Sequence, residues 1–398
     1  MHVGIDFTAG AWQGAGIGRY TRELIGAVMA LGTDHRFSLF YAAGFPGAAP
    51  PPYLDDLQRL CDAHPDARAI PIPLPPRRLT QLWHRLRVPL PIEWFTGPLD
   101  LLHAPDFVPP PTRARTIVTI HDLSYMVHPE CAVPGVAAYL RDAVPRGLAR
   151  ADTIFADSQA TRHDLQRLLH IAPERVTVVY PGVGSHFRPL PADVCEPVRR
   201  KLQLPQHFIL FVGTLEPRKN LVRLLEAFAR IDRADVRACC GDDDLHLTVA
   251  GRRGWMYEPV FAAIERLGLH RRVHVLDFVD DADLPMVYNL ARAFVYPSIY
   301  EGFGIPPLEA LACGTPVLTA NNSSLPEVVG DAALLVPADN TEAITDGIIR
   351  LLNDAALRTR LRDAGLDRAR CYRWEESARQ VMAHYDSLST GALHDTTI

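Results

Sequence analysis

Short apolar runs alternate with longer amphipathic stretches along most of the chain. Residues 3–7, 37–42, 67–72, 99–103, 116–120, 153–156 and 176–180 are apolar almost without interruption. Runs of that length predict strands buried on both faces, as a parallel sheet requires. Between them, residues 19–32, 54–63, 136–149 and 160–169 carry apolar positions at helical spacing. Pro181-Gly182-Val183-Gly184 and Arg188-Pro189-Leu190-Pro191 then break the pattern and read as a linker. The rhythm restarts with strands at 208–213, 245–250, 273–278, 294–296, 317–319 and 333–336, and helices from Leu221, Glu258 and Ala282. From Thr341 the chain is mainly helical, with a last helix near 374–387 and a tail after Thr390 that is expected to be disordered. Strand-helix alternation predicts two doubly wound α/β domains facing one another across a cleft, with ligands where strand ends open. Residues 1–183 form the first, 184–372 the second, and 373–398 the terminal helix and tail.

At 398 residues the chain is long enough for two cores of ordinary size. A net charge of −5 leaves no global footprint for nucleic acid. The seven cysteines (61, 131, 195, 239, 240, 313 and 371) are scattered without a C-x-x-C pair, which fits reduced thiols in a cytosol. No run is long enough to span a bilayer, and MHVGIDF reads as a first strand, not a signal peptide. A soluble, cytoplasmic chain is expected. One local departure is the stretch from Arg77 to Trp94, where Arg77, Arg78, Arg85 and Arg87 interleave with Leu79, Leu82, Trp83 and Leu86. It reads either as an element whose apolar stripe packs on the sheet while arginines stay wet, or as one that lies on an anionic membrane surface.

Candidate chemistry gathers at strand ends. After the strand ending at Tyr296 comes a loop with Glu301, Gly302 and Gly304, then a helix opening at Pro306-Pro307 and carrying Glu309. Proline is tolerated in a first helical turn. The glycines allow close approach to main-chain amides, and the helix start favours an anion. The strand at 208–213 ends in Gly213-Thr214-Leu215-Glu216-Pro217-Arg218-Lys219-Asn220, two cations placed for a diphosphate. The strand at 116–120 ends in His121-Asp122, readable as a capped structural pair or as a site residue. Gly14-Ala15-Gly16-Ile17-Gly18 is a tight strand-to-helix turn without the G-x-G-x-x-G dinucleotide spacing. His103 and Asp106 are too sparse for a metal site, and the acidic run 242–244 is expected in a polar loop.

The phrases GIGRY, TIHDLSY, LEPRKN and EGFGIPPLE together resemble the retaining family-four glycosyltransferases of GT-B fold. GTLEPRKN, AGRRGWMYE and NNSSLPEV look most like the bacterial mannosyltransferase B-like branch of O-antigen and exopolysaccharide synthesis. The resemblance implies that Lys219 binds the phosphate of a sugar nucleotide and that Gly16 and Gly213 pass close to it. Relatives often carry arginine where this chain has Thr214, which leaves Arg218 or Arg252 for the second phosphate contact. Phe278 and Val279 would receive the base, Glu309 the ribose, and Glu301 a hydroxyl of the transferred sugar, with the Phe303, Gly304 and Ile305 amides around its phosphate. His121 would reach the transferred sugar. The implied reaction is transfer with retention of configuration, without metal or cofactor, from GDP-mannose or alternatively a UDP-sugar. The acceptor would be a glycan or lipid-linked oligosaccharide, with peripheral contact at the cytoplasmic face of the membrane. A sugar-nucleotide 2-epimerase and a non-catalytic sensor share the fold and are the rival readings.

Overall fold

A computed structural model describes residues 1–390 apart from 15, 233, 235 and 237–243. Cys239, Cys240, Asp242, Asp243 and the tail after Thr390 lie outside the described residues; Asp244 lies inside them and pairs with His246 Nε2. The chain divides into two compact units, Met1–Gly182 with Trp374–Ile398, and Val183–Arg373.

The first unit is built on a wholly parallel sheet of β1 (His2–Asp6), β2 (Arg36–Ala42), β3 (Ala67–Ile72), β4 (Leu101–Ala104), β5 (Arg115–Ile120), β6 (Thr153–Ala156) and β7 (Val176–Val178). The strand order is β3-β2-β1-β4-β5-β6-β7. β4 and β6 are buried at every position, as the continuous apolar runs require. The helix Ile17–Ala30 buries Tyr20, Leu24, Ile25 and Val28 along one face. The terminal helix Trp374–Thr390 adds Ala378, Val381, Tyr385 and Leu388 to the same core. It is tied down by polar contacts as well: Tyr385 Oη lies 2.7 Å from His103 Nδ1, and Arg115 Nη1 donates to the Leu388 carbonyl. Burial pushes His103 down to about 3, so it is a neutral structural residue.

The second unit repeats the plan with β8 (Phe208–Val212), β9 (His246–Ala250), β10 (Val273–Val275), β11 (Ala293–Tyr296), β12 (Val317–Ala320) and β13 (Ala333–Val336). Their order is β10-β9-β8-β11-β12-β13, again with every pair parallel. β10 is shorter than its apolar run predicts, although the chain stays beside β9 as far as Asp277, whose carbonyl accepts from Gly251 N–H and which takes φ 51°. A helix at Ala192–Lys201, not read from the sequence, directly follows the expected linker; its charged, proline-containing sequence conceals the buried Cys195 and Val198. Among the described residues, no helix is long and apolar enough to cross a membrane.

Candidate active site

In the second unit the turn after β8 and the loop after β11 are adjacent because β8 and β11 are paired. Pro217–Lys219 forms one 3-10 turn, closed by Asn220 in the left-handed region at φ 59°. Asn220 Nδ2 donates to the carbonyls of Pro297 and Ala338, and Ile299 N–H donates to the Arg218 carbonyl. These bonds lock the two segments together and aim both cations at Glu301. Lys219 Nζ donates to Glu301 Oε1 at 2.7 Å and to Tyr296 Oη at 2.6 Å. Arg218 Nη1 donates to Glu301 Oε2 and to the Tyr300 carbonyl, both at 2.8 Å, while Nη2 donates to Glu216 Oε1 at 2.7 Å. Glu301 is only 6% exposed. Burial opposes its ionisation, yet Arg218 and Lys219 hold the carboxyl down to about 2. The result is a charged, nearly dry cluster in which two cations meet on Glu301 and Arg218 also holds the buried Glu216.

The helix Ile305–Ala312 begins where Gly304 takes φ 108°. A Cβ there would be strained and would stand 2.9 Å from Leu325 Cδ2, so only glycine fits the entry. Pro306 and Pro307 carry no N–H and the Leu308 amide donates to the Gly304 carbonyl, so the amides nearest this helix start are those of Phe303, Gly304 and Ile305. Ser324 Oγ lies 2.9 Å and 2.7 Å from the carbonyls of Glu301 and Phe303, and Glu301 N–H donates to Ser323 Oγ. These contacts pin the loop at Glu301 and Phe303. Glu309, 2% exposed, accepts from Tyr288 Oη at 2.9 Å. Arg252 stacks on the Phe278 ring at 4.2 Å, and Val279 beside it is buried. Arg218, not Arg252, is therefore the second cation beside Glu301. Thr214 borders a tight corner, where a Cβ on Gly254 would lie 2.6 Å from its Cγ2. Gly213 is equally confined, since a Cβ on Gly251 would meet the Gly213 carbonyl oxygen at 1.9 Å.

In the first unit, Gly16 at φ 56° caps the helix Ile17–Ala30. The ends of adjacent strands β5 and β6 bring His121 and Asp157 together. His121 Nδ1 lies 2.7 Å from Asp157 Oδ2, and Nε2 lies 2.9 Å from the Pro105 carbonyl. Neither partner donates, so both ring nitrogens must, and the ring is an imidazolium. Burial works against that charge, but Asp157 holds the ring up to about 9. Tyr20 packs edge-on against it at 4.7 Å. Asp106 is the nearby carboxylate that burial pushes up to about 6. Glu216, Tyr296, Tyr288, Asp157 and the two serines are site neighbours that sequence reading did not single out, since nothing in their local spacing announces long-range hydrogen bonds.

Two parallel α/β units, the second with a buried Lys–Arg–Glu cluster at its strand ends, match the GT-B glycosyltransferase class that the sequence resemblance implies. Residues 14–186 match the description "Glycosyltransferase Family 4", and residues 196–368 match "Glycosyl transferases group 1". O-antigen chain mannosyltransferase B of Escherichia coli is 31% identical over 94% of this chain and 96% of its own length. The chain therefore belongs to glycosyltransferase family 4, and it is an enzyme that transfers sugar. Among solved structures, sucrose-phosphate synthase from Thermosynechococcus elongatus aligns over 98% of this chain and 100% of its own with TM-score 0.76 and 20% identity. Anabaena Alr3699/HepE, solved with UDP and glucose, aligns over 97% of this chain and 100% of its own with TM-score 0.74 and 18% identity. Both likenesses are of fold.

Proposed function

We propose that the protein is a retaining α-mannosyltransferase that moves mannose from GDP-mannose onto a glycan or lipid-linked acceptor in bacterial surface-polysaccharide synthesis. The observation that carries this reading is the grip of Lys219 and Arg218 on Glu301, because the two cations are prepared for a diphosphate. The choice of mannose rests on the name and near-full-length match of the E. coli relative. In this reading Lys219, Arg218 and the amides of Phe303, Gly304 and Ile305 stabilise the charge that grows on the leaving diphosphate. Glu301 turns one oxygen toward a hydroxyl of the mannose, Glu309 takes the ribose, and Phe278 and Val279 face the base. His121 is assigned to the transferred sugar, Gly16 and Gly213 to close backbone approach, and Arg252 with Thr214 to the rim near the base. The C1–O bond to the diphosphate breaks while the acceptor oxygen bonds C1 on the same face. The acceptor's proton passes to the departing phosphate oxygen. No metal or cofactor is assigned a step, and action in the cytoplasm follows from where sugar nucleotides are made.

Purified protein is incubated with GDP-mannose or a UDP-sugar and an oligomannose acceptor, with and without a chelator. The expected result is one added hexose in α linkage from GDP-mannose alone, unaffected by the chelator. Glu301→Gln should lower kcat/KM about a hundredfold or more. Transfer from a UDP-sugar alone would overturn the donor, and conversion of the sugar nucleotide without acceptor would make the protein an epimerase.

A further inference from the structure

One cation of the second unit has no part in the cluster at Glu301. Arg218 and Lys219 meet there, whereas Arg252 stands in the loop at residues 251–254 that follows β9. The main chain of this loop is held from two sides. Gly251 N–H donates to the Asp277 carbonyl at 2.6 Å, the Arg252 carbonyl accepts from Leu215 N–H at 2.9 Å, and Gly254 N–H donates to the Leu215 carbonyl at 3.1 Å. The loop is thus laced to the chain after β10 and to the segment leading into the Pro217–Lys219 turn.

The two arginines of the loop are engaged differently. Arg253 Nε lies 3.4 Å from Asp277 Oδ1, and its guanidinium lies over the rings of Phe261 and Tyr257. Arg252 lies over the Phe278 ring, 4.2 Å from its centre, and both of these side chains are open to solvent. Asp277, the carboxylate next to Phe278 in the chain, is therefore taken by Arg253. Among the described residues the Arg252 guanidinium makes no hydrogen bond and no ion pair. Stacking restricts where the group can point but leaves its N–H donors, which lie in its own plane, available. The rim at Phe278 thus carries an ordered donor fork with nothing to donate to.

We infer that Arg252 selects guanine among the nucleotide bases, donating from its fork to guanine O6 and N7 together. The inference rests on the reading that Phe278 and Val279 face the base. A fork of two parallel donors needs two neighbouring acceptors, and guanine carries them on one edge. Adenine sets an amino donor where guanine has O6, and cytosine also presents an amino donor on the corresponding edge. Uracil offers O4 with only a C–H beside it. Lysine in this position would supply the charge without the fork. Because the loop is pinned and the side chain is stacked, little freedom is lost when the base arrives. The preference for a guanine nucleotide is then written in a residue of this chain and does not depend on the name of a relative.

The test is calorimetric titration of the full chain with GDP, 7-deaza-GDP, ADP and UDP. 7-Deaza-GDP replaces N7 by a C–H group and keeps O6. GDP is expected to bind most tightly, with 7-deaza-GDP weaker by roughly five- to tenfold and ADP and UDP weaker by roughly ten- to a hundredfold. Arg252→Ala should erase the gap between GDP and 7-deaza-GDP, and Arg252→Lys should restore little of it. The thermal midpoint should barely move in either variant, because the side chain is exposed. Equal affinity of the unaltered protein for GDP and 7-deaza-GDP, or a gap that survives Arg252→Ala, would overturn the inference. So would an equal loss of GDP, ADP and UDP in Arg252→Ala, which would make the arginine a phosphate contact or a stacking platform. In these three outcomes, with GDP still preferred to UDP, the donor reading stands. Preference for UDP, or no binding of any nucleotide, would overturn the donor reading and the inference with it.

Discussion

Glu301 accepts from two cations at once, and that fact changes what each substitution at the cluster does. An alanine there would leave Lys219 buried without a counter-charge and Arg218 with Glu216 alone, a loss of about 3–5 kcal/mol for breaking a buried pair. Glu301→Ala is therefore expected to lower the thermal midpoint as well as activity, whereas Glu301→Gln keeps volume and hydrogen-bonding capacity and reports on the chemistry. Tyr296 offers a cleaner probe. Its hydroxyl accepts from Lys219 Nζ, and its ring lies between Phe211 and Phe294 with both neighbours roughly parallel. Tyr296→Phe keeps the ring and removes only the acceptor, leaving an ammonium proton unpaired at a cost of about 1–3 kcal/mol. A drop in kcat/KM together with a lower midpoint is the expected result; unchanged values of both would mean that the tyrosine does not hold the lysine. The two charged centres also set the pH response. The folded pKa of Glu301, about 2, is below its ordinary 4.5, so its contribution is complete above 4.5 and is lost as pH falls toward 2. For His121 the folded value, about 9, is above the ordinary 6.5, so its contribution is complete below 6.5 and disappears as pH rises through 9. Denaturant melts across pH should show His121→Gln flattening the alkaline limb between 6.5 and 9; the acid limb should shift too, because the imidazolium also holds down the buried carboxyls of Asp157 and Asp106.

The loop after β11 and the turn after β8 are elements that hold the cluster by backbone geometry more than by burial. Gly304 shows this most directly: φ 108° and the nearness of Leu325 Cδ2 make any side chain there a strain of about 1–3 kcal/mol. Gly304→Ala should therefore weaken sugar-nucleotide binding in titration calorimetry and lower the midpoint, and a variant that binds normally would show the loop amides to be dispensable. How much of this was legible beforehand divides along the same line. The strands were readable because parallel strands buried on both faces leave uninterrupted apolar runs, and β3, β6 and β13 match those runs residue for residue. The cations and the carboxylate were readable because they stand in compact phrases at strand ends. Their supports were not. Asn220 reaches Ala338 across 118 residues, Tyr288 reaches Glu309 across 21, and His121 reaches Asp157 across 36. Such bonds leave no local periodicity, so Tyr296 reads as one more strand aromatic until the sheet brings Lys219 beside it. The stretch from Arg77 to Trp94 was half legible for a similar reason. Its arginines are visible in the sequence, but a π-helical turn at Gln81–Arg85 shifts which apolar residues face inward: Leu79 and Trp83 are buried, whereas Leu86 is exposed.

At the scale of the whole molecule, the two units differ in how their chain is arranged. The second is one continuous stretch, Val183–Arg373, whereas the first needs Trp374–Thr390 returned to it from the far end of the sequence. Trp374, Ala378, Val381, Tyr385 and Leu388 are all buried in the core that also holds Tyr20, Leu24 and Phe155. Burial of each large apolar side chain contributes about 1.5–3 kcal/mol, so together they rival the roughly 5–15 kcal/mol that holds an ordinary domain folded. Removing the helix would also strip His103 of its Tyr385 partner inside that core. A chain ending at residue 373 is therefore expected to keep its second unit folded and lose its first. Limited proteolysis should then leave a resistant fragment beginning near Val183 and digest everything before it, and the melting curve should keep one transition where the full chain has both. Tyr385→Phe isolates the polar part of the same contact: it should cost about 1–3 kcal/mol in the first unit alone. Uniform protease resistance of the shortened chain would mean that the first sheet holds its own core. In that case the long return of the chain would serve something other than the stability of the unit it completes.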